Sequence, residues 1–303
     1  MRARILTVLA AALALVGVAG PAEAIKGGVP DAGAHPYVGQ LLYYIPTAQD
    51  PRFSDPGAWF TCTGTLVSPT IVLTAGHCTF GTGLNGEPTA SGSGGNDVWI
   101  SFAEAPDYSI LPPSSQFVPD DNEGRYDAWS SALNASDEWI RATAFPHPEY
   151  DDSAFFTHDV GVLRLSEPVN LPEYGQLPEE GLLDELYAEN KLQRYTAVGY
   201  GLEGSGPKTS FGGDTRRRAD LQLVNLTGVG GIGRGMTAKF SSNANTGGIC
   251  FGDSGGPIFV AGTTTIVAVT SYVKNVTCSG TTGGYRIDQA DDLAFLATFG
   301  ITP

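Results

Sequence analysis

Residues 250–257 read CFGDSGGP, and this short stretch decides how the rest of the chain is interpreted. Ser254 stands there between an acidic residue and two glycines, just before an apolar run. A hydroxyl is a poor nucleophile until a base removes its proton, so a reactive serine requires an imidazole nearby. An imidazole serves as that base only when a carboxylate fixes its tautomer, so both groups should be found elsewhere in the chain.

Two further motifs supply those groups. TAGHC, residues 74–78, ends a hydrophobic run and contains His77, and HDVGVLRL, residues 158–165, contains Asp159. The three other histidines lie beside prolines or next to Asp159, in settings typical of turns and strand ends. We therefore predict nucleophilic catalysis by Ser254, with His77 as the base and Asp159 as the group that orients it.

In this order the motifs resemble those of the trypsin/chymotrypsin-like serine proteases. The resemblance extends from IKGG at residue 25 to the C-terminal helix and includes GTLVSPTIVLTAGHC, AVGYG, CFGDSGGP and TSYV. It implies an all-β fold of two antiparallel six-stranded barrels with a C-terminal helix and the site in the cleft between the barrels. It also implies a serine endopeptidase that forms an acyl-enzyme on Ser254, needs no cofactor or metal, and acts on protein or peptide substrates.

The resemblance assigns further roles. The backbone N–H groups of Gly252 and Ser254 would bind the oxyanion of the tetrahedral intermediate. Four cysteines in an exported chain favour two disulfides, and the count alone leaves three pairings open. By family position the pairs are Cys62–Cys78 and Cys250–Cys278.

The substrate pocket is also assigned by family position. Where trypsin-like members keep an aspartate at the pocket floor, this chain has Gly248, so a Lys or Arg side chain would lack a carboxylate partner. We predict a preference for small or medium apolar residues at P1, and expect the Ser271 hydroxyl to support Asp159. The predicted substrate-binding residues are Gly248, Ile249, Phe251, Ser271, Tyr272, Val273 and Gly283.

The N-terminus combines two signals. Residues 1–24 have the form of a signal peptide, with early arginines, an apolar run and the small-residue ending Ala-Glu-Ala. Ile25 follows directly after Ala24, with no basic residue between the signal peptide and the mature start. In the family a free amine at this position pairs with the acid before the nucleophile, here Asp253. We predict that signal peptidase itself makes the activating cut.

Composition narrows the class of protein. The chain has 303 residues and a net charge of −15, which argues against nucleic-acid or anionic-membrane partners. We expect a secreted monomer, and the Ala- and Gly-rich composition favours a bacterial host.

The predicted division of the chain is a signal peptide at residues 1–24, a first barrel at 25–170, and a second barrel with the helix at 171–303. Residues 104–134 are predicted to be an acidic surface loop without metal, with calcium binding by Asp120, Asp121, Glu123 and Asp127 as the alternative.

Two other functions remain open at this point. A secreted binding protein on the same scaffold would have lost catalysis, and an esterase would keep the chemistry on another substrate. A fluorophosphonate that labels Ser254 excludes the first. Hydrolysis of unfolded casein excludes the second.

Overall fold

The computed structural model describes residues 25–86, 96–189, 193–206, 210–228, 231, 233–243 and 247–303. The predicted signal peptide therefore lies outside the described residues, as does the bond between residues 24 and 25. None of the helices in the described ranges is long and apolar enough to cross a membrane.

The first barrel is a closed antiparallel ring of six strands. Along the ring, in hydrogen-bonding order, they are β2 (Val38–Ile45), β3 (Ala58–Ser68), β4 (Ile71–Thr74), β7 (Gly161–Leu165), β6 (Ile140–Pro146) and β5 (Asn96–Ser101). The run GTLVSPTIVL, which reads as one strand-like segment, is a hairpin, because Pro69 and Thr70 form the turn between β3 and β4. A proline cannot donate to a strand ladder, so the chain reverses there.

The second barrel is also closed and antiparallel. Its ring contains β8 (Arg194–Gly199), β11 (Arg217–Asn225), β12 (Thr237–Ser242), β15 (Gly280–Arg286), β14 (Ile266–Val273) and β13 (Pro257–Val260). A short β1 (Val29–Pro30) pairs with the first residues of β11, and β9 (Gly204–Ser205) pairs with β10 (Ser210–Phe211) in a separate ribbon. The two predicted six-stranded barrels are confirmed.

Within the described residues, three α-helices accompany the barrels: α1 (Asn122–Asn134), α2 (Leu182–Glu189) and α3 (Ala290–Ala297). The C-terminal helix that the resemblance implies is confirmed as α3, and it buries Phe295 and Leu296 against the barrels. The largest apolar cluster is continuous from the inside of the first barrel to the second, and it includes Leu66 and Phe259. The two halves are therefore packed on one another through apolar side chains.

Helix α1 corrects the prediction of a loop over residues 104–134. Asp121 caps it by accepting the Gly124 N–H at 2.8 Å, so one of the four acids considered for calcium has a structural role. Tyr126, Trp129 and Leu133 share one face of the helix and pack on an aromatic cluster outside the barrel. That cluster contains all four tryptophans of the chain, Trp59, Trp99, Trp129 and Trp139.

Both predicted disulfides are present. Cys62 on β3 is joined to Cys78, which lies in the short 3₁₀ turn Gly76–Cys78 that follows β4. Cys250 is joined to Cys278 ahead of β15. Each bridge ties a segment of the predicted site to a neighbouring segment, so the turns that carry His77 and Ser254 are both anchored covalently.

Candidate active site

His77 and Asp159 lie in contact. The Asp159 carboxylate accepts the backbone N–H of His77 at 2.9 Å, and both of its oxygens lie 3.0 Å from His77 Nδ1. An ionised carboxylate only accepts hydrogen bonds, so Nδ1 carries the proton and Nε2 is left as the basic nitrogen. The imidazole is therefore held in the orientation and tautomer that a general base needs.

Asp159 is fully buried, and a second side chain supports it. The Ser271 hydroxyl donates to Asp159 Oδ2 at 2.6 Å from strand β14 of the other barrel. Burial lowers the pKa of His77, but the Asp159 charge and hydrogen bond raise it by more, so it lies above the ordinary value of 6.5. The pair is built to stabilise an imidazolium.

Ser254 lies in a tight turn at the entrance of β13. Gly252 adopts φ +98°, and a Cβ there would be 3.0 Å from the Gly201 Cα, so the position requires glycine. The Ser254 carbonyl accepts the Thr63 N–H at 2.7 Å, which fixes the turn against the first barrel. Within the described residues no hydrogen bond joins the Ser254 hydroxyl to His77, a contact that commonly tightens only when substrate binds.

A pocket of about 260 Å³ opens beside Ser254. Its wall is mostly apolar, and no charged side chain lines it within the described residues. The lining residues are Cys250, Phe251, Ser254, Thr270, Ser271, Tyr272 and Val273. Gly283 lies behind the Tyr272 ring, and a Cβ there would be 2.3 Å from that ring. The Tyr272 side chain therefore forms the part of the pocket wall where Gly283 was expected to lie.

Gly248 and Ile249 lie away from this pocket. Ile249 is fully buried in the core of the second barrel, among residues such as Tyr195 and Phe240, and adds no bulk to the pocket wall. Gly248 pairs with Lys26 in an isolated bridge, and a Cβ on it would be 1.9 Å from Ser242 Oγ. Gly248, which family position puts at the pocket floor, instead lies against the N-terminal segment, and Ile249, predicted to bind substrate, faces the barrel core.

Asp253 is fully buried beside the nucleophile. Its carboxylate accepts the N–H groups of Gly201 and Cys250, both at 2.8 Å, and within the described residues no cation pairs with it. Burial raises the pKa of Asp253 to about 7. Ile25 is also fully buried, and the bridge from Lys26 holds its segment against Gly248. The N-terminal segment thus lies along the same loop that leads to Ser254.

Two groups in the described residues have side chains close enough to share a metal ion. Cys62, His77 and Cys78 form the first, but its sulfurs are joined in the disulfide. His147, His158 and Asp292 form the second. There the His147 Nδ1 accepts the Glu149 N–H at 3.1 Å, so the proton of the neutral ring is on Nε2 and no free lone pair remains. Neither group offers three free ligands.

Comparison with known proteins identifies the family of this chain. Two closed six-stranded antiparallel barrels are the fold of the chymotrypsin-like proteins. The family model described as Trypsin matches residues 122–290, more than half of the chain. The chain belongs to the trypsin family. No match was found among curated proteins.

Three solved structures share the fold over 92% of this chain. HL collagenase has a TM-score of 0.61 and 16% identity, with 100% of that chain covered. A mutant of human heparin binding protein has a TM-score of 0.54 and 16% identity, with 99% of that chain covered. A scabies mite inactivated protease paralogue has a TM-score of 0.57 and 14% identity, with 100% of that chain covered. These similarities show the fold alone, and function has to be argued from the site.

Proposed function

We propose that this chain is a secreted serine endopeptidase. One observation carries the proposal: Ser271, Asp159 and His77 form a hydrogen-bonded series, and Ser271 lines the same pocket as Ser254. A non-catalytic protein has no need to hold an imidazole in one tautomer against a fully buried carboxylate, since burying a charge is costly. A net charge of −15 also disfavours binding of anionic polysaccharides.

The proposed reaction has two acyl-transfer steps. Ser254 Oγ attacks the substrate carbonyl carbon while its proton passes to His77 Nε2, and the carbonyl oxygen becomes an oxyanion. The N–H groups of Gly252 and Ser254 stabilise that oxyanion. The C–N bond then breaks, and the amine leaves with the proton from His77. Water repeats the sequence on the acyl-enzyme and releases the carboxylic acid.

Substrate backbone binding is proposed along β14. Its pairing with β13 reaches Val269, and the next cross-strand bond runs from Thr270 N to Gly256 O. The segment from Ser271 to Val273 therefore has an edge toward the pocket on which an extended peptide can pair. This edge would align the scissile bond with Ser254.

A fluorophosphonate labelling experiment tests the proposed chemistry. We expect covalent modification of Ser254 in the secreted protein, blocked by Ser254→Ala, together with hydrolysis of unfolded casein. Labelling without casein hydrolysis would favour the esterase. Failure of the folded wild-type protein to label would favour a binding protein and contradict the proposal.

P1 specificity should follow from the uncharged pocket. We expect kcat/KM for substrates with Ala, Val or Leu at P1 to exceed that for Arg by at least about 100-fold, because a buried cation without a partner is strongly unfavourable. A series of peptide amides that differ only at P1 measures this. Efficient cleavage after Arg would contradict it.

A substitution at Val273 tests which side chains are small enough to fit the pocket at P1. Val273 lines the pocket, and we expect its side chain to narrow the pocket. We expect Val273→Gly to raise kcat/KM for Phe at P1 relative to Ala by roughly tenfold, the scale of a few methylene contacts in a pocket. Unchanged selectivity would mean that Val273 does not set the size limit.

A further inference from the structure

Thr63 contacts the nucleophile turn through its backbone and its side chain. Its N–H donates to the Ser254 carbonyl at 2.7 Å, and its hydroxyl donates to the Gly252 carbonyl at 2.9 Å. Thr63 lies on β3 of the first barrel and is fully buried, whereas the turn belongs to the second. One residue of the first barrel thus contacts both ends of a three-residue segment of the second.

The direction of the Thr63 hydroxyl proton is fixed by its neighbours. The Tyr200 N–H donates to Thr63 Oγ1 at 3.3 Å, so that oxygen is the acceptor there and its own proton points to Gly252. The Thr63 carbonyl is occupied as well, since it accepts the Thr74 hydroxyl at 2.8 Å. All of these polar atoms are therefore in use, and the side chain has one orientation.

The peptide unit between Gly252 and Asp253 depends on this contact. Its N–H donates to the Cys250 carbonyl at 3.2 Å, and its carbonyl accepts from Thr63. Glycine imposes little restriction on its own φ and ψ, so hydrogen bonds decide the orientation of the peptide planes beside it. This unit lies between the two peptide units that carry the Gly252 and Ser254 N–H groups, the proposed oxyanion donors, so a displacement of it moves those two groups relative to each other.

We infer that Thr63 is a positioning residue for the oxyanion site and that it acts through its hydroxyl. This inference rests on the proposed function, and it assigns to Thr63 a role in catalysis in addition to packing. It acts through Gly252 and touches neither substrate nor reacting atoms. Because it holds groups that bind the transition state more tightly than the substrate, its loss should lower kcat and leave KM nearly unchanged.

The test compares Thr63→Val, which removes the hydroxyl at nearly constant shape, with Thr63→Ser, which keeps it. We expect T63V to lower kcat about tenfold, less than the loss of a direct oxyanion donor, with KM within about twofold. Affinity for a peptide boronate, whose oxygen occupies the oxyanion position, should fall by the same factor. T63S should restore both.

Thr65→Val is the matched control. Thr65 lies two residues along the same strand and is equally buried, and its hydroxyl has no hydrogen-bond partner within the described residues. T65V therefore removes a buried hydroxyl without touching the turn, and kcat should be unchanged. Thermal melting of each variant establishes that it is folded at the assay temperature, and T63A replaces T63V if T63V does not fold.

Three outcomes decide the inference. A kcat loss in T63V with unchanged KM, weaker boronate binding and rescue in T63S supports it. Wild-type kcat and boronate affinity in folded T63V, or an equal loss in T65V, overturns it while the proposed function stands. A wild-type protein that neither labels with fluorophosphonate nor hydrolyses peptides overturns both.

Discussion

Asp159→Asn should lower kcat by roughly 10⁴, the scale observed when the imidazole of such a triad is held in the wrong tautomer. The asparagine amide can donate to His77 Nδ1, which would place the ring proton on Nε2 and remove the base. Because Asp159 also accepts from the His77 backbone and from Ser271, the fold around it should be retained with a similar KM. Steady-state kinetics on the P1-Leu substrate measures both constants.

The pH profile distinguishes this effect from a general loss of structure. Activity requires neutral His77, so kcat/KM falls as pH drops through the His77 pKa. The Asp159 charge raises that pKa, so D159N should move the acid limb of the residual activity to lower pH. Asp152→Asn is the control, because Asp152 also raises the His77 pKa but makes no hydrogen bond with the ring. D152N should shift the acid limb of the pH profile slightly and leave kcat near the wild-type value. A large kcat loss in D152N would contradict the assignment of Asp159 as the group that orients His77.

Protein that retains one alanine before Ile25 should lose activity by roughly 10²–10³, as expected when the oxyanion donors are misplaced. Asp253 is fully buried with only backbone donors, and burial raises its pKa to about 7. A free Ile25 amine would supply the missing cation and hold the turn that leads to Ser254. Insertion of alanine between residues 24 and 25, with the secreted N-terminus verified by sequencing, measures the effect.

Ile25→Val is the matched control for this insertion. It keeps a free amine on a β-branched apolar residue, and its activity should stay within a few-fold of the wild type. Full activity of any form whose first residue is not at position 25 would contradict the prediction. In the native form, activity should also fall at alkaline pH, above the roughly 8 of an unperturbed α-amine, as Ile25 loses its charge.

The protein that retains one alanine before Ile25, here called the extended form, should have a stability that depends on the protonation of Asp253. Its Asp253 stays protonated in the folded state up to a pKa of about 7, against 3.8 for an ordinary aspartate. The folded state then binds more protons than the unfolded state between those values, so stability falls as pH rises through that window. Calorimetry should find that the Tm difference between the Ile25 form and the extended form widens from pH 4 to pH 7.

The motifs around the site could be predicted from sequence because each one is local. TAGHC and CFGDSGGP place a turn residue directly after or before a buried strand, and one cysteine of each disulfide stands inside each motif. Helix α1 was also predictable in principle. Tyr126, Trp129 and Leu133 have helical spacing, and Asp121 is a good N-cap, but the surrounding acids and prolines made the segment resemble a loop.

The pocket could not be predicted in the same way. Ile249 and Phe251 are two residues apart, yet one lies in the barrel core and the other is 46% exposed beside Ser254. A regular strand would put both on one face, but the chain turns at this point, so counting along it does not give the direction of a side chain. The register shift between Thr270 and Tyr272 likewise decides that the Tyr272 ring covers Gly283.

The motifs, through their resemblance to a known family, were sufficient to predict the family, the two-barrel fold, the disulfide pairs and the residue types that the chemistry needs. Which groups meet could be seen only in the folded chain, because those contacts join residues far apart in sequence. Asp159 meets Ser271 across 112 residues and Thr63 meets Gly252 across 189, and no local pattern encodes either contact. The raised pKa of Asp253 has the same origin, since the folded chain buries its carboxylate completely.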